Sequence, residues 1–69
     1  MAIGENIRIA RERCGMSQES LAEFLNMSQV AIYKYENGVC QPNATVAVSI
    51  AKRLGTTVEK LVEGVDNAD

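Results

Sequence analysis

Histidine and tryptophan are absent from this chain, cysteine appears twice, proline once, and Phe24, Tyr33 and Tyr35 are its only aromatics. Each shortage excludes something. The missing histidine removes the commonest general acid–base group and the commonest metal ligand at neutral pH. Cys14 and Cys40 match no zinc-ligand spacing, so no metal site is expected. Two cysteines without a secretion signal are expected to be free thiols and not a disulfide framework. No carboxylates are paired for acid–base work, and a body of 69 residues offers no deep cleft. An enzyme is not expected, and neither a cofactor nor a small-molecule ligand site is evident. No apolar run approaches the roughly 18 residues of a membrane span, and the N-terminus lacks a signal-peptide pattern. The expectation is a cytoplasmic chain without membrane attachment.

With so few aromatics, the core has to come from Ile, Leu, Val, Ala and Met, a set suited to close helix packing. The β-branched residues show no sustained alternation, so no strand is expected. At 46% hydrophobic and 23% charged, the composition is that of a globular chain and not a disordered one. Its 69 residues make one domain, 1–69, with one small core.

The net charge of −2 is unevenly spread. Over residues 59–69, Lys60 stands against Glu59, Glu63, Asp66 and Asp69, a net of −3. Over residues 1–58, Arg8, Arg11, Arg13, Lys34, Lys52 and Arg53 stand against five glutamates, a net of +1. Acidity counts against a nucleic-acid partner, but here it belongs mostly to the C-terminal end, with an acidic tail at 64–69.

Helical periodicity recurs along the chain, and Gly15, Gly38, Gly55 and Gly64 each follow a periodic stretch as a C-terminal cap would. Ile3, Ile7, Ala10 and Cys14 form one stripe, which makes Cys14 a small core residue of the first helix. Cys40 falls in a loop and is expected to be exposed, where a redox role stays open. A second helix is predicted over Gln18–Leu25 and a third over Gln29–Glu36. Pro42 ends any continuation, Asn43 caps a fourth helix, and Ala44, Ala47, Val48, Ala51 and Leu54 give that helix its apolar face. Thr56 and Glu59 have capping-box spacing ahead of a short fifth helix with Val58, Leu61 and Val62. Residues 65–69 are expected to fray. The fold class predicted is all-α, a compact five-helix domain.

The run Ser17–Gly38, SQESLAEFLNMSQVAIYKYENG, carries the most information. Ser17 and Ser28 each stand where a helix N-cap belongs. Asn26 lies in the tight turn between the two helices, where it tolerates a left-handed backbone better than most residues. Leu21, Ala22 and Leu25 make one apolar face; Met27, Ile32 and Tyr35 make the other. Two helices this short, at 17–36, can hold the second of them proud of a small body, which is how a helix is presented to the major groove of DNA.

The order and spacing of Ile7, Ala10, Arg11, Gly15-Met16-Ser17-Gln18, Leu21-Ala22, Ile32, Glu36-Asn37-Gly38, Pro42, Ala51 and Leu54-Gly55 resemble the lambda-repressor-like helix-turn-helix family. That family includes the DNA-binding domains of phage Cro and repressor proteins and the xenobiotic-response-element-type bacterial regulators. The likeness covers about residues 3–63. It implies a sequence-specific regulator of transcription, most simply a repressor, that binds double-stranded DNA as a homodimer. The chain is then either a complete small regulator or a DNA-binding domain cut from a longer one, with no room for a separate sensor domain.

The resemblance also implies residue roles. Gln29, Val30, Tyr33 and Lys34 become the base-reading set: Gln to adenine, Lys to guanine, Val to a thymine methyl, and Tyr to sugar, base or phosphate. Gln18 bonds a phosphate and braces the third helix, and Ser28, Asn37, Gly38, Gln41 and Asn43 extend the phosphate contact, with Thr45 beside them. Arg11 and Glu36 form a structural ion pair, with Arg11 also within reach of a phosphate. Thr56, Thr57, Val58, Val62 and Val65 are the dimer candidates. Blander roles stand beside these: an ordinary first helical residue at Gln18, scattered surface apolars at Val30 and Tyr33, a plain helix cap at Asn37-Gly38, and core packing for Val58 and Leu61. Relatives that carry larger aliphatics at Ala10, Ala44 and Ala47 imply a lean core here. With one cation, Lys34, on the reading face, a shallow salt dependence is expected. A protein-interaction module, an antitoxin or adaptor on the same fold, is the alternative function.

Overall fold

This computed structural model describes residues 2–63, which form five helices and no strand: α1 (Ala2–Arg13), α2 (Gln18–Phe24), α3 (Gln29–Glu36), α4 (Ala44–Leu54) and α5 (Val58–Leu61). The fold class expected from the sequence is the one observed. The expected acidic tail at 64–69, the Gly64 cap and Val65 lie outside the described residues.

Short-range chemistry sets the helix starts. The hydroxyl of Ser17 accepts from the backbone N–H of Ser20 at 3.0 Å, and that of Ser28 accepts from Ala31 at 3.2 Å. Asn43 Oδ1 accepts from Val46 at 2.8 Å, and Thr57 Oγ1 from Lys60 at 3.2 Å. Each bond satisfies one of the donors a helix start leaves free. The last one corrects an expectation, because Thr57 and not Thr56 caps α5. Thr56 is taken up in closing α4, its N–H donating to Ala51 O at 2.9 Å.

The first four helices end in the same way. A residue at positive φ follows each, and the N–H of the next residue reaches back five positions: Met16 to Arg11, Met27 to Ala22, Val39 to Lys34 and Thr56 to Ala51. Glycine fills the positive-φ position after α1, α3 and α4. After α2 it is Asn26, at φ 58° the only described non-glycine residue there. This left-handed closure makes the turn between α2 and α3 tight.

The core consists of Ile3, Ile7, Leu21, Ala22, Ile32, Ile50, Ala51, Leu54 and Leu61, with Ala47 also buried. Two expectations fail here. Cys14 is exposed at the C-terminal end of α1, just ahead of the Gly15 turn; its thiol lies 3.5 Å from Leu54 O. On α4, Ala44 is exposed and Val48 is 42% exposed, while Ile50, not foreseen, is fully buried. The inward stripe is Ala47, Ile50, Ala51 and Leu54, rotated slightly from the one predicted. Val62, for which the sequence leaves core packing open, follows α5 and is 38% exposed.

Gly4 was not singled out from the sequence, yet it decides how α1 meets α3. A Cβ there would collide with the backbone oxygen of Tyr35 and come within 2.7 Å of that of Glu36. The first turn of α1 therefore seats directly on the last turn of α3. Among the described residues no helix is long and apolar enough to cross a membrane.

Candidate nucleic-acid interface

Ile32 on α3 is fully buried, Glu36 is buried, and Ala31 and Tyr35 are half-buried. These residues lock the inner side of the helix to the body. The other side stands clear: Val30 and Tyr33 are 53% and 51% exposed, Lys34 and Asn37 are exposed, and Gln29 is half-buried. Positions 30, 33, 34 and 37 share one helical face by their spacing.

Behind Gln29 runs a relay of hydrogen bonds. Arg11 on α1 grips Glu36 with two donors, Nε to Oε2 at 2.7 Å and Nη2 to Oε1 at 3.0 Å, and its Nη1 donates to Met16 O at 2.8 Å. Glu36 Oε1 also accepts from Gln18 Nε2 at 2.9 Å. Gln18 Oε1 in turn accepts from Gln29 Nε2 at 2.6 Å. The direction of every step is dictated. A guanidinium only donates and a carboxylate only accepts, so Gln18 must turn its NH2 to Glu36 and its carbonyl to Gln29. Gln29 is thereby left with one N–H and its Oε1 free. The ion pair is dry, its side chains 10% and 1% exposed for Arg11 and Glu36. The hydrogen bond that Arg11 donates to Glu36 raises the guanidinium above its ordinary pKa, against the burial that lowers it.

The other candidates divide. Gln18, Ser28 and Gln29 come together at the entrance of α3. Asn37 is exposed at its exit, its Nδ2 donating back to Tyr33 O at 2.9 Å. Gly38 follows, and the loop folds back on the helix end, where Val39 and Cys40 both donate to Lys34 O. Gln41 and Asn43 are exposed farther along this loop, as is Thr45 at the start of α4, and Asn43 also caps that helix. Arg11 is placed apart from this set: it is buried, with three of its five N–H groups donating to Glu36 and Met16. Val58 packs against the core, Thr56 is half-buried, and Thr57 and Val62 are exposed. Cys40 is exposed.

Val39, which was not singled out from the sequence, is 65% exposed beside the end of α3. No local pattern marks it, because only the fold of the loop brings it next to Lys34. Phe24 is also prominent, 61% exposed at the end of α2 with the Arg53 guanidinium 4.9 Å above its ring.

The helix-turn-helix family model matches residues 7–61 of the chain. A Methanocaldococcus jannaschii protein named an HTH-type transcriptional regulatory protein is 38% identical over 96% of this chain. One so named from Methanococcus vannielii is 35% identical over 96%, and the HTH-type transcriptional activator BcrR of Enterococcus faecalis is 34% identical over 93%. The chain spans 22%, 19% and 31% of the lengths of these three proteins. No solved structure gives a significant match. The matched span takes in both helices joined at Asn26, the Arg11–Glu36 clasp behind them and the exposed third helix: the chain belongs to the lambda-repressor-like helix-turn-helix family.

Proposed function

We propose that this domain binds double-stranded DNA sequence-specifically, with α3 in the major groove, as the DNA-reading part of a transcriptional regulator. One observation carries the reading. The outer face of α3, with Val30, Tyr33 and Lys34, is clear of the protein body, and half-buried Gln29 at its edge is held in one amide orientation from behind. A free N–H beside a free carbonyl is the complement of adenine N7 and N6. Ser28, Gln18, Asn37, Gly38, Gln41 and Asn43 orient the domain on phosphates. Arg11 is left out of that set, because it is buried, at 8% exposure.

Occupancy is the mechanism: a bound domain over a promoter represses, and it does so in the cytoplasm, where bacterial and archaeal DNA lies. One subunit neutralises few phosphates and binds weakly, so two copies on half-sites about 34 Å apart are the working unit. Thr57 and Val62 are the exposed part of the proposed dimer surface. Val58 contributes only its outer edge, and Val65 lies outside the described residues.

Gel-shift and anisotropy titrations at two salt concentrations test this reading. A DNA reader loses affinity as salt rises, and Gln29→Ala lowers its sequence preference. Unchanged affinity and preference in Gln29→Ala would displace the readout from α3. Sedimentation with and without duplex tests the dimer.

A second reading has its own support. Val30, Tyr33 and Val39 are each more than half exposed around a single cation, Lys34, and an apolar face of this kind also suits a protein partner. An antitoxin or adaptor built this way shows no salt-dependent affinity for random duplex.

A further inference from the structure

We infer that α3 reads the C5-methyl groups of pyrimidines, so that thymine, and 5-methylcytosine with it, marks the bases this domain selects. The inference rests on the major-groove reading above. Val30 and Tyr33, 53% and 51% exposed, stand at i and i+3 on the outer face of α3. Such pairs have Cβ atoms about 5–6 Å apart, and successive bases of a strand rise about 3.4 Å. The two side chains thus face bases one or two steps apart.

Valine neither donates nor accepts a hydrogen bond. The apolar group that base edges offer in the major groove is the C5 methyl of thymine. An exposed valine otherwise costs a helix rotamer freedom and leaves apolar surface in water. The opposite chemistry is scarce on this helix. Guanine is read chiefly by Arg or Lys, and Lys34 is the one cation of α3, while Arg11 is turned inward. Gln29 agrees with its neighbour Val30: the free N–H and Oε1 suit adenine, and the methyl belongs to the thymine paired with it. One A·T pair therefore satisfies two consecutive residues. 5-Methylcytosine carries the same methyl at the same place in the groove, and an apolar contact does not distinguish the two rings.

For the test, a duplex is first selected from a random pool with the unmodified chain. Each thymine is then replaced by uracil, which removes the methyl and keeps the pairing edge, and binding is followed by fluorescence anisotropy. One or two replacements are expected to weaken binding about fourfold each, the size of one buried methyl. Val30→Ala is expected to bind the thymine and uracil forms alike at one of these positions. A C·G pair placed there is expected to bind about fourfold better when its cytosine is methylated. Equal binding of thymine and uracil duplexes by a chain that still selects a sequence overturns the inference and leaves the DNA reading standing. A uracil effect that survives both Val30→Ala and Tyr33→Ala also overturns it, because the effect then lies in duplex stiffness. A folded chain that enriches no duplex overturns both.

Discussion

Gln29 hangs its side-chain amide on Gln18, Nε2 to Oε1 at 2.6 Å, and Gln18 hangs its own on Glu36 at 2.9 Å. The amide orientation of Gln29 on the proposed DNA face is therefore set by a residue on α2 and an ion pair beneath it. Such a positioning role makes a distinct prediction. Gln18→Ala frees Gln29 to rotate, and the preference for a selected duplex over a random one is expected to fall about tenfold, within the range of one bidentate base contact. Stability falls by only about 1 kcal/mol for the lost hydrogen bond. The Gln18→Ala/Gln29→Ala double variant is expected to lose little more preference than either single one, because both act through the same amide. Anisotropy on the two duplexes, with thermal unfolding alongside, checks this.

The Arg11–Glu36 pair predicts an asymmetry in stability. Both side chains are out of water, at 10% and 1% exposure. Arg11→Met strands a buried carboxylate and is expected to cost about 3–5 kcal/mol. Arg11→Met with Glu36→Met removes both charges, and much of that loss is expected to return. Urea unfolding of the two single variants and the double one closes the cycle. A double variant as unstable as Arg11→Met contradicts the stranded-charge account.

What was legible in the sequence was mostly short-range. Ser17, Ser28 and Asn43 cap helices because a side-chain oxygen three residues from an N–H needs no tertiary partner, and Asn26 closes α2 for an equally local reason. The bounds of α3 follow from Ser28 on one side and Asn37-Gly38 on the other. Other features depend on what approaches from elsewhere in the chain. The burial of Ile50 in place of Val48 depends on the angle at which α4 meets α1 and α5. Gly4 matters only once α3 lies against it. The relay through Gln18 joins four residues spread over three helices, and no spacing rule connects them; resemblance to the family supplied only its Arg11–Glu36 end and a bracing role for Gln18.

Gly4→Ala separates intrinsic propensity from packing. Alanine is the better helix former by about 1 kcal/mol, so a free helix would be stabilised. Here the added Cβ meets two backbone oxygens of the last turn of α3, and backbone cannot swing aside as a flexible side chain does. Destabilisation by about 1–3 kcal/mol is expected, the usual cost of overpacking, together with weaker DNA binding as α3 is tilted. A rise in Tm would contradict the close approach.

Alkaline pH is expected to weaken the fold through Tyr35. Burial, with a smaller contribution from Cys40, raises its phenol above the ordinary value of 10.0. The unfolded chain then releases that proton at a lower pH than the folded one does. Between the two pKa values the unfolded state holds fewer protons, so stability falls as pH rises past about 10 and levels off once the folded phenol also ionises. Below that window Tyr35 adds no pH dependence. Unfolding of the parent chain and Tyr35→Phe across pH 8–11 measures the difference, and the variant should lack that part of the slope.

Charge placement provides the last prediction, because the two lysines lie on different helices, Lys34 on α3 and Lys60 on α5. Lys34 is exposed on the outer face of α3, while Lys60 is exposed on α5 in the acidic C-terminal part of the chain. A lysine that neutralises a phosphate releases a counterion, so removing it weakens binding to every sequence and lowers the salt slope by about 1. Lys34→Ala is expected to do this, and to reduce preference as well if its ammonium reaches a guanine edge. Lys60→Ala is expected to leave the slope unchanged, because α5 has no part in the proposed DNA face. Binding isotherms at four or more salt concentrations give both slopes directly. A larger loss from Lys60→Ala would move the DNA face from α3 to α5.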